Sequence, residues 1–257
     1  MRIAVCIKQV PDSYAEKRMG ADGRIDRAAS DRVLNDLDEY AVEAALRLAE
    51  SHAGTTVTVV SMGPDEAAEA IRRALAMGAN DAIQVSDPAL AGSDAPATAR
   101  VLAATLRDRG FDLIMFGQES TDAKMGVVQA MVATLLDLPL LSFAEAVTVD
   151  GASLHITRRT ERGLLDLSAA MPVVLAVVER IHEPRYPSFK GIMAARKAPL
   201  EKLDLAAVDV DPASVGVVGS RSVVIDAQLR PPRTRGALIT DNGAQALADY
   251  LHAQKLV

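Results

Sequence analysis

The sequence predicts an α/β protein: a parallel sheet with helices on both faces, a short antiparallel extension and an extended C-terminal arm. Three observations predict it. From residue 2 to about residue 136, short runs rich in Val and Ile alternate with stretches of helical periodicity, the pattern of right-handed βαβ units. After Ala144 this gives way to short strands joined by Asp150-Gly151 and Arg162-Gly163, the pattern of an antiparallel meander. Beyond Leu203 the chain becomes irregular and carries Pro231-Pro232 among arginines, a composition that favours an extended segment. The expected organisation is an α/β domain over 1–203 and an arm over 204–257.

Each element has its own signal. Arg2 to Lys8 is a short apolar run suited to a buried parallel strand. Residues 14–29 hold the turn Ala21-Asp22-Gly23-Arg24 and read as a hairpin-like excursion. Leu37, Tyr40, Ala41, Ala44, Ala45 and Leu48 recur at helical spacing, with Asn35 and Asp36 as capping candidates. A strand over 55–61 leads through Met62-Gly63-Pro64 into a helix over about 65–77. A strand over 82–86 precedes a helix over about 95–109 with Ser93-Asp94 at its start. A strand over 111–116 ends in Gly117-Gln118-Glu119-Ser120-Thr121-Asp122, and a helix is expected from about Ala123 to Leu136. Residues 146–149, 153–157 and 164–167 are the meander strands, and Pro172 to Val178 is a last, very apolar strand. Asp241 to about Gln254 has the pattern of an amphipathic helix, with Ala246, Leu247, Tyr250 and Leu251 on one face.

Composition narrows the function. Of 257 residues 49% are hydrophobic but only 3% aromatic, so the core must be packed with Ala, Val, Leu and Ile. No apolar run approaches the roughly 18 residues that span a bilayer, and the N-terminus has no cleavable signal pattern. The single cysteine, Cys6, lies in the first strand, which excludes a disulfide framework and suits a small core residue in a reducing cytoplasm. A net charge of −6 argues against nucleic-acid binding. Four histidines without paired cysteines or HExxH spacing argue against a metal site.

One stretch stands out against this acidic background: Glu183-Pro-Arg-Tyr-Pro-Ser-Phe-Lys-Gly-Ile-Met-Ala-Ala-Arg-Lys197. Pro184 and Pro187 break any continuous helix, and Gly191 permits a turn into a short helical run. Arg185, Lys190, Arg196 and Lys197 give it a basic rim around Phe189. A rigid loop of this make-up is suited to meeting a partner.

Ligands of open parallel sheets bind beyond the carboxyl ends of the strands, near a topological switch point. Three such ends carry suitable residues: Cys6 to Gln9, Val60 to Gly63, and Phe116 to Asp122 opening into Met125 to Gln129. Gly117 allows close backbone approach, Ser120 and Thr121 offer hydroxyls, and the N–H groups of the following helix suit a phosphate. The arrangement has the shape of an adenine-nucleotide site without a chemical motif. The chain has no GxxxxGK[ST], no GxGxxG after the first strand, and no GxSxG. Asp122 is expected as a helix N-cap rather than a catalytic acid.

The signature Pro-Arg-Tyr-Pro-Ser-Phe-Lys-Gly-Ile-Met-Ala-Ala-Arg-Lys resembles that of the electron-transferring flavoprotein beta subunit, bacterial type. Similarity extends to Ala4 to Pro11, Asp38 to Leu48, Val60 to Pro64, Ile71 to Ala79 and Gly117 to Asp122. The resemblance implies an adenine-nucleotide-binding, Rossmann-like fold that buries AMP, paired with an alpha subunit that holds the redox FAD. It implies nucleotide contacts at Cys6, at Asn35, Asp36, Leu37 and Asp38, at Met62, and along Gly117, Gln118, Glu119, Ser120, Thr121, Asp122, Ala123, Lys124, Met125, Gly126, Val127 and Val128. Tyr186, Phe189, Lys190, Ile192, Met193, Arg196 and Lys197 would meet acyl-CoA or other flavin dehydrogenases, with electrons passing onward to a quinone oxidoreductase. The arm would dock on the alpha subunit. Such a subunit is an electron carrier rather than an enzyme, and is expected to make no contact with nucleic acid and to enter no membrane. In electron-bifurcating relatives a second FAD takes the AMP site. A stand-alone nucleotide-binding protein of the universal-stress type shares the α/β pattern but has no use for the basic loop or the tail.

Overall fold

In the computed structural model, which describes residues 1–16, 18–228, 231–236 and 238–257, one long sheet organises the chain. The elements follow in order: β1 (Arg2–Ile7), β2 (Gln9–Pro11), β3 (Arg32–Leu34), α1 (Asp36–Ser51), β4 (Thr56–Met62), α2 (Ala68–Met77), β5 (Asp81–Val85), α3 (Ala95–Leu106), β6 (Leu113–Gly117) and α4 (Val128–Leu136). The second half holds β7 (Leu140–Asp150), β8 (Ser153–Thr160), β9 (Gly163–Ala170), β10 (Val173–Val177), α5 (Phe189–Ala195), β11 (Leu200–Leu203), α6 (Gly216–Gly219) and α7 (Gly243–Ala253). The sheet runs β11-β5-β4-β1-β6-β10-β7-β8-β9, and β2 pairs with β3 antiparallel as a separate ribbon.

The strand sequences explain the layers. Parallel strands covered on both faces need apolar residues at successive positions rather than alternate ones, and β1, β6 and β10 supply them. The register aligns Val59, Val5, Met115 and Leu175 across four strands. These side chains share a cluster with Ala41 and Ala45 of α1 and Ile71 and Ala74 of α2. One residue further on, Val60, Cys6, Phe116 and Ala176 align on the opposite face, packed with Leu102 of α3 and Val132 of α4. With only 3% aromatics, alanine-rich helices lie close to the sheet and the core fills without large rings.

The α/β class, the helices on both faces and the meander agree with the sequence reading. Several boundaries differ. β7 begins at Leu140, pairs in parallel with β10 through Leu140 and Leu141, and then pairs antiparallel with β8. The change of partner occurs where Phe143 takes a left-handed φ of 60° and the register shifts between Ala144 and Ala146. Such a bulge bends one strand enough to serve both halves of the sheet. β11, which no periodicity announced, adds to β5 in parallel. The expected break after Leu203 falls later. Leu205, Val208, Val210 and Val215 are buried with Val85, Leu90 and Val101, so the larger unit runs through Val224 and the second covers Ile225–Val257. The second unit contains α7 close to where the amphipathic pattern placed it. Leu229 and Arg230 of the Pro-Pro segment lie outside the described residues.

Candidate functional site

The chain leaves β1, builds β4 and β5 on one side, then crosses to β6 and β10 on the other. The crevice between the carboxyl ends of β1 and β6 is therefore the topological switch point where open α/β sheets take their ligands. Cys6 lies at the end of β1, buried, and burial together with the nearby Asp38 pushes its thiol far above the ordinary range. Gly117 closes β6, and the turn from Gln118 to Val127 follows it. Met62 ends β4 on the α3 side.

The N-terminus of α1 is locked into this crevice. Asn35 occupies the N-cap position, yet its side chain does not cap the helix. It reaches across instead, donating from Nδ2 to the Glu119 carbonyl at 2.9 Å and accepting the Thr121 N–H at 3.0 Å. A fully buried amide is thereby satisfied by the turn it positions. Asp38 is also buried, and accepts the Lys8 N–H at 2.8 Å. Burial lifts its carboxyl to about 7, with the Lys8 amide, Asn35 and the Lys8 charge acting in the opposite direction. A Cβ on Gly117 would lie 2.5 Å from the Leu37 carbonyl oxygen and 2.6 Å from the Asp38 carboxylate. The close approach that Gly117 permits is that of helix α1 to the end of β6.

Asp122 is not a helix cap. α4 starts at Val128 rather than near Ala123, because Lys124 and Gly126 adopt left-handed φ values of 52° and 60° and interrupt any helix there. The Asp122 side chain is fully buried, with Lys8 Nζ at 2.8 Å and Arg27 Nη2 at 2.5 Å. Burial alone would raise its carboxyl, but Lys8 and Arg27 reverse that and hold it at about 2. Gln129 closes the far end of the turn by donating to the Gly126 carbonyl at 2.8 Å and, at 3.3 Å, to Gln118. Arg27 comes from the 14–29 excursion and carried no sequence signal, since a single Arg in a polar loop looks like any solvated charge.

Two hydroxyls at the carboxyl ends of the strands are left to bond a further partner. The Thr121 Oγ1 and Ser61 Oγ atoms are buried without a hydrogen-bond partner among the described residues, and buried hydroxyls ordinarily find one. Asp36 is exposed at the edge of the site, and Ala123, Lys124 and Met125 face solvent.

The basic loop stands elsewhere. Ser188 caps α5 by accepting the Gly191 N–H at 3.1 Å. Tyr186 and Phe189 are 87% and 81% exposed, and Ile192 and Met193 about half so. Lys190, Arg196 and Lys197 are exposed on the same segment. No helix among the described residues is long and apolar enough to cross a membrane.

Comparison with known proteins agrees with this architecture. The family model for the electron transfer flavoprotein domain matches residues 22–208. The chain is 41% identical to the electron transfer flavoprotein subunit beta of Mycobacterium tuberculosis, over 99% of both chains. It is 35% identical to that of Megasphaera elsdenii over the whole of both. It is 32% identical to the caffeyl-CoA reductase-Etf complex subunit CarD of Acetobacterium woodii, over 98% of this chain and 96% of that one. With the family model and full-length identity in agreement, the chain belongs to the electron transfer flavoprotein beta subunit family.

Proposed function

We propose that this chain is the beta half of a heterodimeric electron carrier, doing recognition and structural work rather than bond chemistry. The observation that carries the reading is the 183–197 loop. Two aromatic rings stand almost fully in solvent within one short segment that also exposes Ile192 and Met193, and clustered exposed apolar side chains mark interaction surfaces. With Lys190, Arg196 and Lys197 exposed on the same segment, Phe189 suits an apolar pocket with an acidic rim on a flavin dehydrogenase such as an acyl-CoA dehydrogenase. The electrons then travel on FAD held by the alpha subunit toward a quinone oxidoreductase, and this chain shields and positions that flavin. Its cytoplasmic location is part of the same reading.

AMP in the switch-point crevice is the second part of the proposal. Main-chain N–H groups of the 118–127 turn, with Thr121 and Ser61 Oγ, would hold it beside Cys6 and Met62. A ligand that binds only the native state adds stability without turnover, which suits a core built from small side chains. A second reading places a redox FAD in the same crevice. What favours it is the 32% identity to a relative whose name places it in a caffeyl-CoA reductase complex. Denaturing the purified heterodimer and identifying the released small molecules separates the two. One FAD and one AMP per heterodimer supports the first, and two FAD without AMP supports the second. Phe189→Ala is expected to slow electron transfer from the dehydrogenase with flavin content unchanged, and unaltered rates would remove the recognition role.

A further inference from the structure

The recognition loop is held by an ion pair whose carboxylate is buried and whose guanidinium is one-third exposed. Glu43 sits in the middle of α1 with its side chain 2% exposed. Arg185, in the Pro-Arg-Tyr-Pro turn, grips it three ways. Nε donates to Oε2 at 2.7 Å, Nη2 to Oε1 at 3.1 Å, and the Arg185 backbone N–H to Oε2 at 3.2 Å. Arg47 donates to the same carboxylate from one turn along α1 at 2.7 Å, and Arg185 Nη1 reaches Glu50 at 2.5 Å. Despite its burial, which works against the charge, these donors hold the Glu43 carboxyl below its ordinary range. The other end of the loop is fixed by packing. A Cβ on Gly191 would lie 2.2 Å from the Ala76 carbonyl oxygen at the end of α2, and Ala195 is buried in the same core cluster. Tyr186 and Phe189 lie between these two anchors and point into solvent.

We infer that the Glu43–Arg185 pair is a positioning latch that holds the loop in the one conformation presenting Phe189 to the dehydrogenase. This rests on the reading of residues 183–197 as the dehydrogenase-facing surface. The planar fork of Arg matches a carboxylate bidentately, and buried, charge-assisted bonds of this kind fix orientation as well as position. The neighbouring Pro184 and Pro187 limit the backbone on either side, so the latch has few degrees of freedom left to remove. When only a fraction of molecules is binding-competent, apparent affinity falls by that fraction. Unlatching the loop so that one molecule in ten presents Phe189 would raise the dehydrogenase KM about tenfold.

The test compares Phe189→Ala, Glu43→Gln and the double variant, each as the intact heterodimer, in steady-state electron transfer from a reduced acyl-CoA dehydrogenase. Flavin content and reduction by dithionite serve as controls and are expected to stay unchanged. Glu43→Gln is expected to raise KM about tenfold with kcat little altered, and in the Phe189→Ala background to add little further, because both act on one contact. Amide exchange over residues 184–195 should speed up in Glu43→Gln. Arg185→Lys, which keeps the charge and loses the fork, should shift KM in the same direction and carries the comparison if Glu43→Gln does not assemble. A normal KM in Glu43→Gln or Arg185→Lys beside a raised KM in Phe189→Ala overturns the latch and leaves the recognition reading intact. Strictly additive effects also overturn it. A normal KM in Phe189→Ala overturns the recognition reading itself.

Discussion

Asp38 makes the folding of this chain depend on pH in a direction opposite to most carboxylates. Its side chain is buried under α1 at the end of β1, and burial lifts its value from 3.8 to about 7. A carboxyl raised in this way binds its proton more tightly in the folded chain. The stability it contributes is fully present below pH 3.8 and is lost as pH rises through 7. A shift of about three units at 1.36 kcal/mol each amounts to about 4 kcal/mol. Asp38→Asn keeps an acceptor for the Lys8 N–H and cannot ionise. Urea unfolding of the assembled protein, wild type against variant at each pH and constant ionic strength, isolates this residue because the other groups cancel in the difference. Relative to wild type, the variant should gain about 4 kcal/mol between pH 4 and pH 8. Parallel curves over that range would refute the assignment of a neutral, buried acid at this position.

The same site yields further expectations. Gly117→Ala drives a methyl into the Leu37 carbonyl, so it should destabilise by more than about 2 kcal/mol and lower nucleotide content together, seen by thermal unfolding and by mass spectrometry of the released ligand. Asn35→Ala leaves the Thr121 N–H and the Glu119 carbonyl without their partner, at a cost of about 3 kcal/mol in urea unfolding. Asp122 acts in the usual carboxylate direction: with its value lowered to about 2, it stabilises above pH 3.8 and loses at most about 2 kcal/mol as pH falls to 2, an acid limb that Asp122→Asn should flatten. Removing Ile225–Val257 should leave the circular dichroism of the larger unit intact and weaken association with the alpha subunit, measured by sedimentation.

The parallel strands and the helices α1 to α3 were legible because each buries one continuous apolar run or stripe, and that periodicity is written locally. The carboxyl ends of β1 and β6 were legible as the switch point because that topology follows from element order. Other features depend on distant partners. Asn35 looked like a cap because Asn before a helix ordinarily caps it, and nothing nearby shows that Glu119 and Thr121 compete for its amide. Glu43 lies four residues before Arg47, the spacing of an ordinary surface pair, and only the arrival of Arg185 from 142 residues away makes it a buried hub. The start of α4 was misplaced by five residues because Asp122 reads as an N-cap before Ala123, Lys124 and Met125, all good helix formers, whereas the left-handed Lys124 and Gly126 break any helix there. β11 is four residues long and half exposed, too short to show a period.

The two ends of the long sheet carry different liabilities in handling the protein. At one end, β11 offers four residues, with Glu201 and Lys202 exposed along it. At the other, β9 presents eight residues with Leu164 56% and Leu165 44% exposed, and its outer main-chain groups meet no strand among the described residues. An open ladder of that length is a template for self-association, and nature blunts such edges with charge. Here the charge sits at the turn, on Glu161 and Arg162, and Asp166 is the lone acid along the strand itself. In practice, the beta chain made alone should gather into soluble aggregates through this edge.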